Sequence, residues 1–139
     1  MKHKYLTVSG ATDIHGRFIK RPIAQIEVSH GSLRRTFLAL LDSGADSIIL
    51  PAAIAEAFGI DRTACRQHTT IGISMQPIAG CIAPVTIHIK HQPQSFDAEA
   101  VFIDTDVPIL LGRDTFFDNY RIKFEQDHHT FDITETPLR

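Results

Sequence analysis

An all-β fold is predicted for this chain by three observations: short β-rich runs, turn residues between them, and a single convincing helical segment. At 139 residues with 43% hydrophobic residues, the chain can enclose one core but hardly two. No Ser/Gly-rich linker or low-complexity stretch divides it, so one domain spanning residues 1–139 is expected.

The elements follow in order. "IAQIEV" (23–28) and "LRRTFLALL" (33–41) flank "SHGS", where Gly31 can supply a positive φ, which predicts a hairpin whose second strand runs into Asp42. Leu38, Ala39, Leu40 and Leu41 show no polar alternation, and Ile48, Ile49 and Leu50 resume the apolar character beyond the loop. A strand buried on both faces and an internal Asp42 turn are therefore expected. The helix is "PAAIAEAFG", with Pro51 preset for the first turn, Ile54 and Phe58 four apart on one face, and Gly59 as the stop. A second hairpin pairs residues 66–73 with 80–90; "SMQPIAG" reads as its exposed tip, and "VTIHIKH" as a strand with one wet face. Further strands are expected at 98–103, 108–111, 120–125 and 129–133, and "YRIKFEQDHHTFDI" can fold back around Gln126 to His129.

Composition excludes several function classes. Lys and Arg number 14 against 16 Asp and Glu, and a net charge of -2 gives no basic field for nucleic acid. No apolar run approaches the roughly 20 residues of a membrane helix, and "MKHKYLTVSG" lacks the apolar core of a secretory signal. A soluble, cytoplasmic protein with no membrane or nucleic-acid partner is expected. Cys65 and Cys81 have no C-x-x-C spacing, so two free thiols are expected rather than a disulfide or a zinc site. His128 and His129 are adjacent and would point to opposite faces of a strand, so they read as turn residues. No metal or cofactor is expected; neither a nucleophilic Ser or Cys with a placed base nor a phosphate-binding glycine loop is present.

Chemistry concentrates at Asp42. Asp-Ser-Gly is also an ordinary surface turn, but here it sits between apolar runs. A carboxylate between buried strands is costly unless hydrogen-bonded or proton-sharing, and such groups gather at functional sites. A second segment, "VPILLGRDTF", has an apolar strand, a glycine that allows close backbone approach, and then a charged pair.

An apolar strand into "DSGAD", a hairpin, and then "ILLGRD" resemble, in order and rough spacing, the retropepsin-type aspartic proteases over residues 20–133. The helix after the Asp loop and the strand pair after "GRDTFFDNY" are more similar to the cellular and bacterial relatives than to the viral enzymes. The resemblance implies an all-β retropepsin-like acid-protease barrel with one short helix after the catalytic loop and a flap hairpin. It also implies an aspartic endopeptidase, with Asp42 as one acid of a dyad. Ser43 would hydrogen-bond across to the other loop, and Gly44 would let the backbone turn near substrate. Ala45 replaces a Ser or Thr hydroxyl that can lower the carboxylate pKa, so a less acidic optimum than that of pepsin-like enzymes is expected. Asp46 matches a position that contacts substrate backbone and pairs with Arg113 of "GRD". Gly72 and Ile73 fall where the flap meets substrate, closing over an extended peptide or protein chain.

Amide hydrolysis by this route needs two carboxylates sharing one proton. No second Asp-Ser/Thr-Gly exists: Asp104-Thr105-Asp106 lacks the glycine, and Asp114-Thr115 is followed by Phe116. A two-fold homodimer would bring Asp42 and its mate together. The flap departs from the viral pattern, with only Gly72 and Gly80 and with Met75 and Pro77 inserted. A second reading is a non-catalytic dimeric peptide-binding or assembly module on the same fold. A metal-dependent hydrolase built on Asp42, Asp46 and a His lacks any ligand spacing.

Overall fold

The computed structural model describes residues 1–72 and 75–137. Its strands are β1 (Lys2–Lys4), β2 (Leu6–Thr12), β3 (Phe18–Arg21), β4 (Ile23–His30), β5 (Leu33–Leu41), β6 (Ile49–Pro51), β7 (Arg66–Ile71), β8 (Pro77–Ile89), β9 (Ser95–Ile103), β10 (Ile109–Leu111), β11 (Tyr120–Glu125) and β12 (Thr130–Glu135), with helix α1 at Ala52–Ala57. No described helix is long and apolar enough to cross a membrane.

The main sheet runs β4-β5-β10-β6-β9-β8-β7, and an additional β4–β8 pairing closes six of these strands into a barrel. Strand β8 makes this possible. It pairs with β9 from Gly80 to His88 on one edge. On the other edge it holds β7 up to Ile82 and β4 from Thr86. Pro84 falls in the gap, its carbonyl 2.9 Å from His30 Nδ1, at the one place on that edge where no ladder partner needs its missing N–H.

Period-two burial builds the core: Ala24, Ile26 and Val28 of β4, Val85, Ile87 and Ile89 of β8, and Ala98, Ala100 and Phe102 of β9 all face inward. Ile54 of α1 and Phe58, its C-cap, join them. The helix ends as its sequence predicts: Gly59 takes φ 68°, and the N–H groups of Gly59 and Ile60 donate to the carbonyls of Glu56 and Ala55 in a Schellman arrangement. Pro51 differs from expectation. It is extended, at φ -62° and ψ 145°, and closes β6 as the N-cap instead of opening the first turn.

Four further expectations are corrected. Strand β5 is not buried on both faces: Ala39 and Leu41 are inside, whereas Leu38 is 57% exposed, because β5 is one layer of barrel wall with a single inner side. Gly80 is no loop tip but a buried residue of β8, where a Cβ would stand 2.6 Å from Val101 Cγ1. Cys65 and Cys81 are not free thiols; they form a disulfide, with Cα atoms 5.7 Å apart. The antiparallel β7–β8 ladder, which sets Gln67 opposite Cys81, brings them together across a separation that sequence spacing does not reveal.

The fourth correction is at the N-terminus, where no strand is expected before residue 23. β1 adds to β12, so the expected β11–β12 hairpin, turned at Gln126–His128, becomes three-stranded. β2 and β3 form a hairpin paired with no other strand, with Ile14 95% exposed at its turn. His3 of β1 stacks on buried Phe131, ring centroids 4.9 Å apart. Burial, and secondarily the chain's amino group and His91, lower the His3 pKa below its ordinary 6.5 against the opposing pull of Asp132.

The unfolded chain therefore binds the His3 proton more readily, and stability is full above the unfolded value and declines as pH falls through and below it. Thermal unfolding at about pH 7.5 and about pH 5 should show a larger loss on acidification in the wild type than in His3→Phe. An equal loss in both proteins would remove His3 as the cause.

Candidate active site

Asp42 stands where two strand ends meet. β5 and β10 are parallel, with Ala39, Leu40 and Leu41 level with Ile109, Leu110 and Leu111, so the loops that follow leave the sheet side by side. Three backbone hydrogen bonds knit them: Asp42 N–H to the Leu111 carbonyl at 3.1 Å, Arg113 N–H to the Ala45 carbonyl at 2.8 Å, and Asp114 N–H to the Asp46 carbonyl at 2.8 Å. Gly112 permits this approach. A Cβ there would collide with the Ser47 carbonyl oxygen and lie 2.8 Å from that of Ala45, both of them backbone atoms.

Within the Asp loop, Asp42 Oδ1 accepts from the Gly44 N–H at 2.9 Å, and the Asp42 carbonyl accepts from the Ala45 N–H at 3.1 Å. This is an Asx-type turn that fixes the carboxylate by main-chain contacts. The turn is less internal than the sequence suggested: Asp42 and Ala45 are half-buried, and Ser43, Gly44 and Asp46 are exposed. In the single chain one side of the loop faces an open cleft.

The Arg113 guanidinium pairs with Asp46 Oδ1, and its Nη1 lies 3.4 Å from the Ser43 carbonyl. Both partners are largely exposed, so the pair adds little to the stability of the isolated chain. Beyond Arg113 the chain turns at Thr115, φ 74°, whose N–H donates to Asp118 and whose carbonyl accepts from Asn119 Nδ2.

A cavity of about 570 Å³ opens beside this loop. Asp42 and Asp46 are its acidic members, and Ile49, Ile71, Ile78 and Leu110 give it an apolar wall. Gly44, Ala45 and Gly72 also reach it; Ser43 and Arg113 stand outside its lining, and Ile73 lies outside the described residues. The β7–β8 hairpin contributes Thr70, Ile71, Gly72 and Ile78 to the cavity lining, with the Met75 N–H donating to the Gly72 carbonyl and the Met75 side chain 77% exposed. A larger shallow cavity of about 800 Å³, lined by Phe96, Asp118, Tyr120 and Glu135 among others, lies elsewhere and holds none of the expected site residues. The smaller cavity is the candidate site because it joins a loop-held carboxylate to an apolar wall. Among the described residues, no cluster of three His, Cys, Asp or Glu side chains is placed to hold a metal.

The aliphatic wall was missed from sequence. The one available signal was Ile71, a large apolar residue closing the polar strand "RQHTTI" and 60% exposed.

No protein-family model matches the chain, and no curated protein matches it. Solved structures do. A retropepsin-like aspartic protease from Rickettsia conorii is 16% identical, covering 96% of this chain and 89% of its own, with a TM-score of 0.60. The EIAV protease complexed with the inhibitor HBY-793 is 22% identical over 71% of this chain and 88% of its own, with a TM-score of 0.50. The retroviral protease-like domain of Ddi1 from Leishmania major is 13% identical over 83% of this chain and 94% of its own, at 0.49. The first two likenesses show that the chain has the retropepsin-like fold.

Gly112→Ala should destabilise the fold by about 1–3 kcal/mol or more, since the clash is with backbone and cannot be relieved by a rotamer change. Urea unfolding measures it. A change below about 0.5 kcal/mol would mean that the two loops are not in the contact described.

Proposed function

We propose that this chain of retropepsin-like fold is an aspartic endopeptidase that works as a homodimer, Asp42 of each subunit supplying one of two paired carboxylates. The carrying observation is the Asp42 carboxylate, held by the Gly44 N–H at the mouth of an apolar cavity. A carboxylate fixed by main chain keeps its position while its proton moves, as general acid–base work requires.

The chemistry needs two such groups. One ionised carboxylate takes a proton from water while the protonated partner gives one to the scissile carbonyl oxygen, and two like charges at close range keep a single shared proton. The sequence holds one Asp-Ser-Gly, so the second acid comes from a second copy related by a two-fold axis. Ser43 and Gly44 support the loop, the former by its hydroxyl toward the other subunit and the latter by its N–H. Ala45 offers no hydroxyl to stabilise the ionised form, which favours an optimum less acidic than that of pepsin-like enzymes.

The substrate is a peptide or protein segment in extended conformation. Aliphatic side chains flanking the cut would enter the wall formed by Ile49, Ile71, Ile78 and Leu110. Asp46, oriented by Arg113, would receive substrate N–H groups, and the β7–β8 hairpin, which carries Gly72, would act as the flap, with Ile73 meeting substrate as the resemblance implies. No cofactor, metal, nucleic acid or membrane enters this reading. The cytoplasmic location expected from the sequence is compatible with it when the disulfide is one that can be reduced.

Digestion of a peptide library across about pH 3 to 8, read by mass spectrometry, tests the proposal. Wild type should cut beside aliphatic residues, and Asp42→Asn, which keeps the shape and removes the acid, should lose about 10³-fold in kcat/KM. Equal silence from both proteins in a folded, dimeric preparation would favour the peptide-binding module.

A further inference from the structure

We propose that Cys65 and Cys81 form a thiol–disulfide exchange site at the root of the β7–β8 hairpin, taking small-molecule thiols and disulfides, and that its oxidation state sets how firmly β7 is held over the cleft. The consequence for peptide hydrolysis rests on the endopeptidase reading; the exchange itself does not.

β7 is the one strand of the main sheet that hangs outside the closed barrel, pairing with β8 alone. Its residues Arg66 to Thr69 are exposed, while Thr70 and Ile71 line the cavity. The disulfide joins two unequal positions. Cys81 lies within β8, opposite Phe102 of β9, and is only 3% exposed, so it belongs to the barrel. Cys65 immediately precedes β7, and the disulfide carries the barrel's rigidity to the start of that strand. Besides the β7–β8 ladder, which begins at Arg66 opposite Ile82, the other ties at this end are weak. Gln67 Nε2 donates to the carbonyls of Arg62 and Cys65 at 3.2 Å each, and the Arg66–Glu99 pair is mostly exposed.

Access to the two sulfurs differs in the way exchange needs. Cys65 is half-buried and Cys81 buried, so an incoming thiolate attacks Cys65 Sγ. The Cys65–Cys81 bond breaks, a mixed disulfide forms at Cys65, and Cys81 leaves as a thiolate that takes up a proton. A second small-molecule thiolate then displaces Cys65, which is protonated in turn. Two electrons and two protons have passed from the small-molecule dithiol or thiol pair, which ends as a disulfide, to the protein; a small-molecule disulfide runs the sequence in reverse. The reduced state is already provided for, because the Arg62 carbonyl lies 3.3 Å from Cys65 Sγ and can accept its S–H.

Hydrogen exchange read by mass spectrometry tests this on the full chain, with no substrate present. The protein is compared after oxidation with glutathione disulfide and after reduction with dithiothreitol, alongside Cys65→Ser and Cys81→Ala. Reduction should speed exchange of the amides of β7 by roughly tenfold or more and leave those of β4 and β5 unchanged, and reoxidation should restore protection. Both variants should exchange like the reduced wild type under either condition. Equal protection of β7 in both states overturns the proposal, as does a rise spread over the whole chain. Two titratable thiols remaining after glutathione disulfide also overturn it. Peptide hydrolysis measured on the same samples should show a higher KM in the reduced state with kcat less affected. Absence of hydrolysis throughout, with the β7 change intact, would sink the endopeptidase reading and leave redox control of β7 standing.

Discussion

The parallel pairing of β5 with β10 is the constraint on which the rest of the architecture depends. Two strands distant in sequence run side by side in the same direction, level from Ala39 with Ile109 to Leu41 with Leu111. A parallel pair cannot be joined by a tight turn, and the long connection between these two carries β6, α1, β7, β8 and β9 around the barrel. A slip of one residue would turn Leu41 or Leu111, both buried, out of the core and move Asp42 away from Gly112. The register that seals the core is thus the one that sets the carboxylate loop beside the glycine loop.

The barrel is unequal in a way that suits a cleft. Strands β4, β5, β6, β8, β9 and β10 each have a partner on both sides, and they contribute most of the buried Ile, Val and Ala side chains. β7 has one partner and mostly exposed residues, yet it supplies Ile71 to the cavity wall. Local opening is drawn from elements with few buried contacts. Under the proposed reading, the strand that must admit a peptide is the one whose movement leaves the core intact, while the carboxylate loop springs from the closed part of the barrel.

Much of this was legible because burial and turn chemistry write themselves into local pattern. "IAQIEV" alternates, Gly31 and Gly59 sit where positive φ is needed, and "FGI" completes a helix stop. What was not legible depends on neighbours remote in sequence. Leu38 and Leu40 are as apolar as Leu41, and only the barrel's curvature decides which of them face inward. Gly80 looks like a turn residue beside Pro77, but its missing side chain makes room for Val101. Cys65 and Cys81 gave no motif because their bond follows from a strand register. β2 and β3 bury little, so their segment carries no strong apolar period. At the candidate site, the order Asp-Ser-Gly and Gly-Arg-Asp marked the two loops, whereas the aliphatic wall is gathered from β6, β7, β8 and β10, one residue from each strand, with no local signature.

The Asp46–Arg113 pair sharpens what a single chain can explain. In the isolated chain the two side chains are 84% and 57% exposed, where an ion pair adds at most about 1 kcal/mol. The loops do not need it for contact, because the N–H groups of Asp42, Arg113 and Asp114 already bind them. The pair therefore makes little sense as a fold-stabilising device. Its value rises once water is displaced, since the attraction between fixed charges grows as the surrounding dielectric falls. A peptide lying in the cleft and a second subunit across it would do this, and Asp46 would meet substrate N–H groups already oriented by Arg113, with less side-chain freedom left to lose. Under the proposed reading, the pair is worth more in an assembled, occupied cleft than in the single chain, where both side chains are largely exposed.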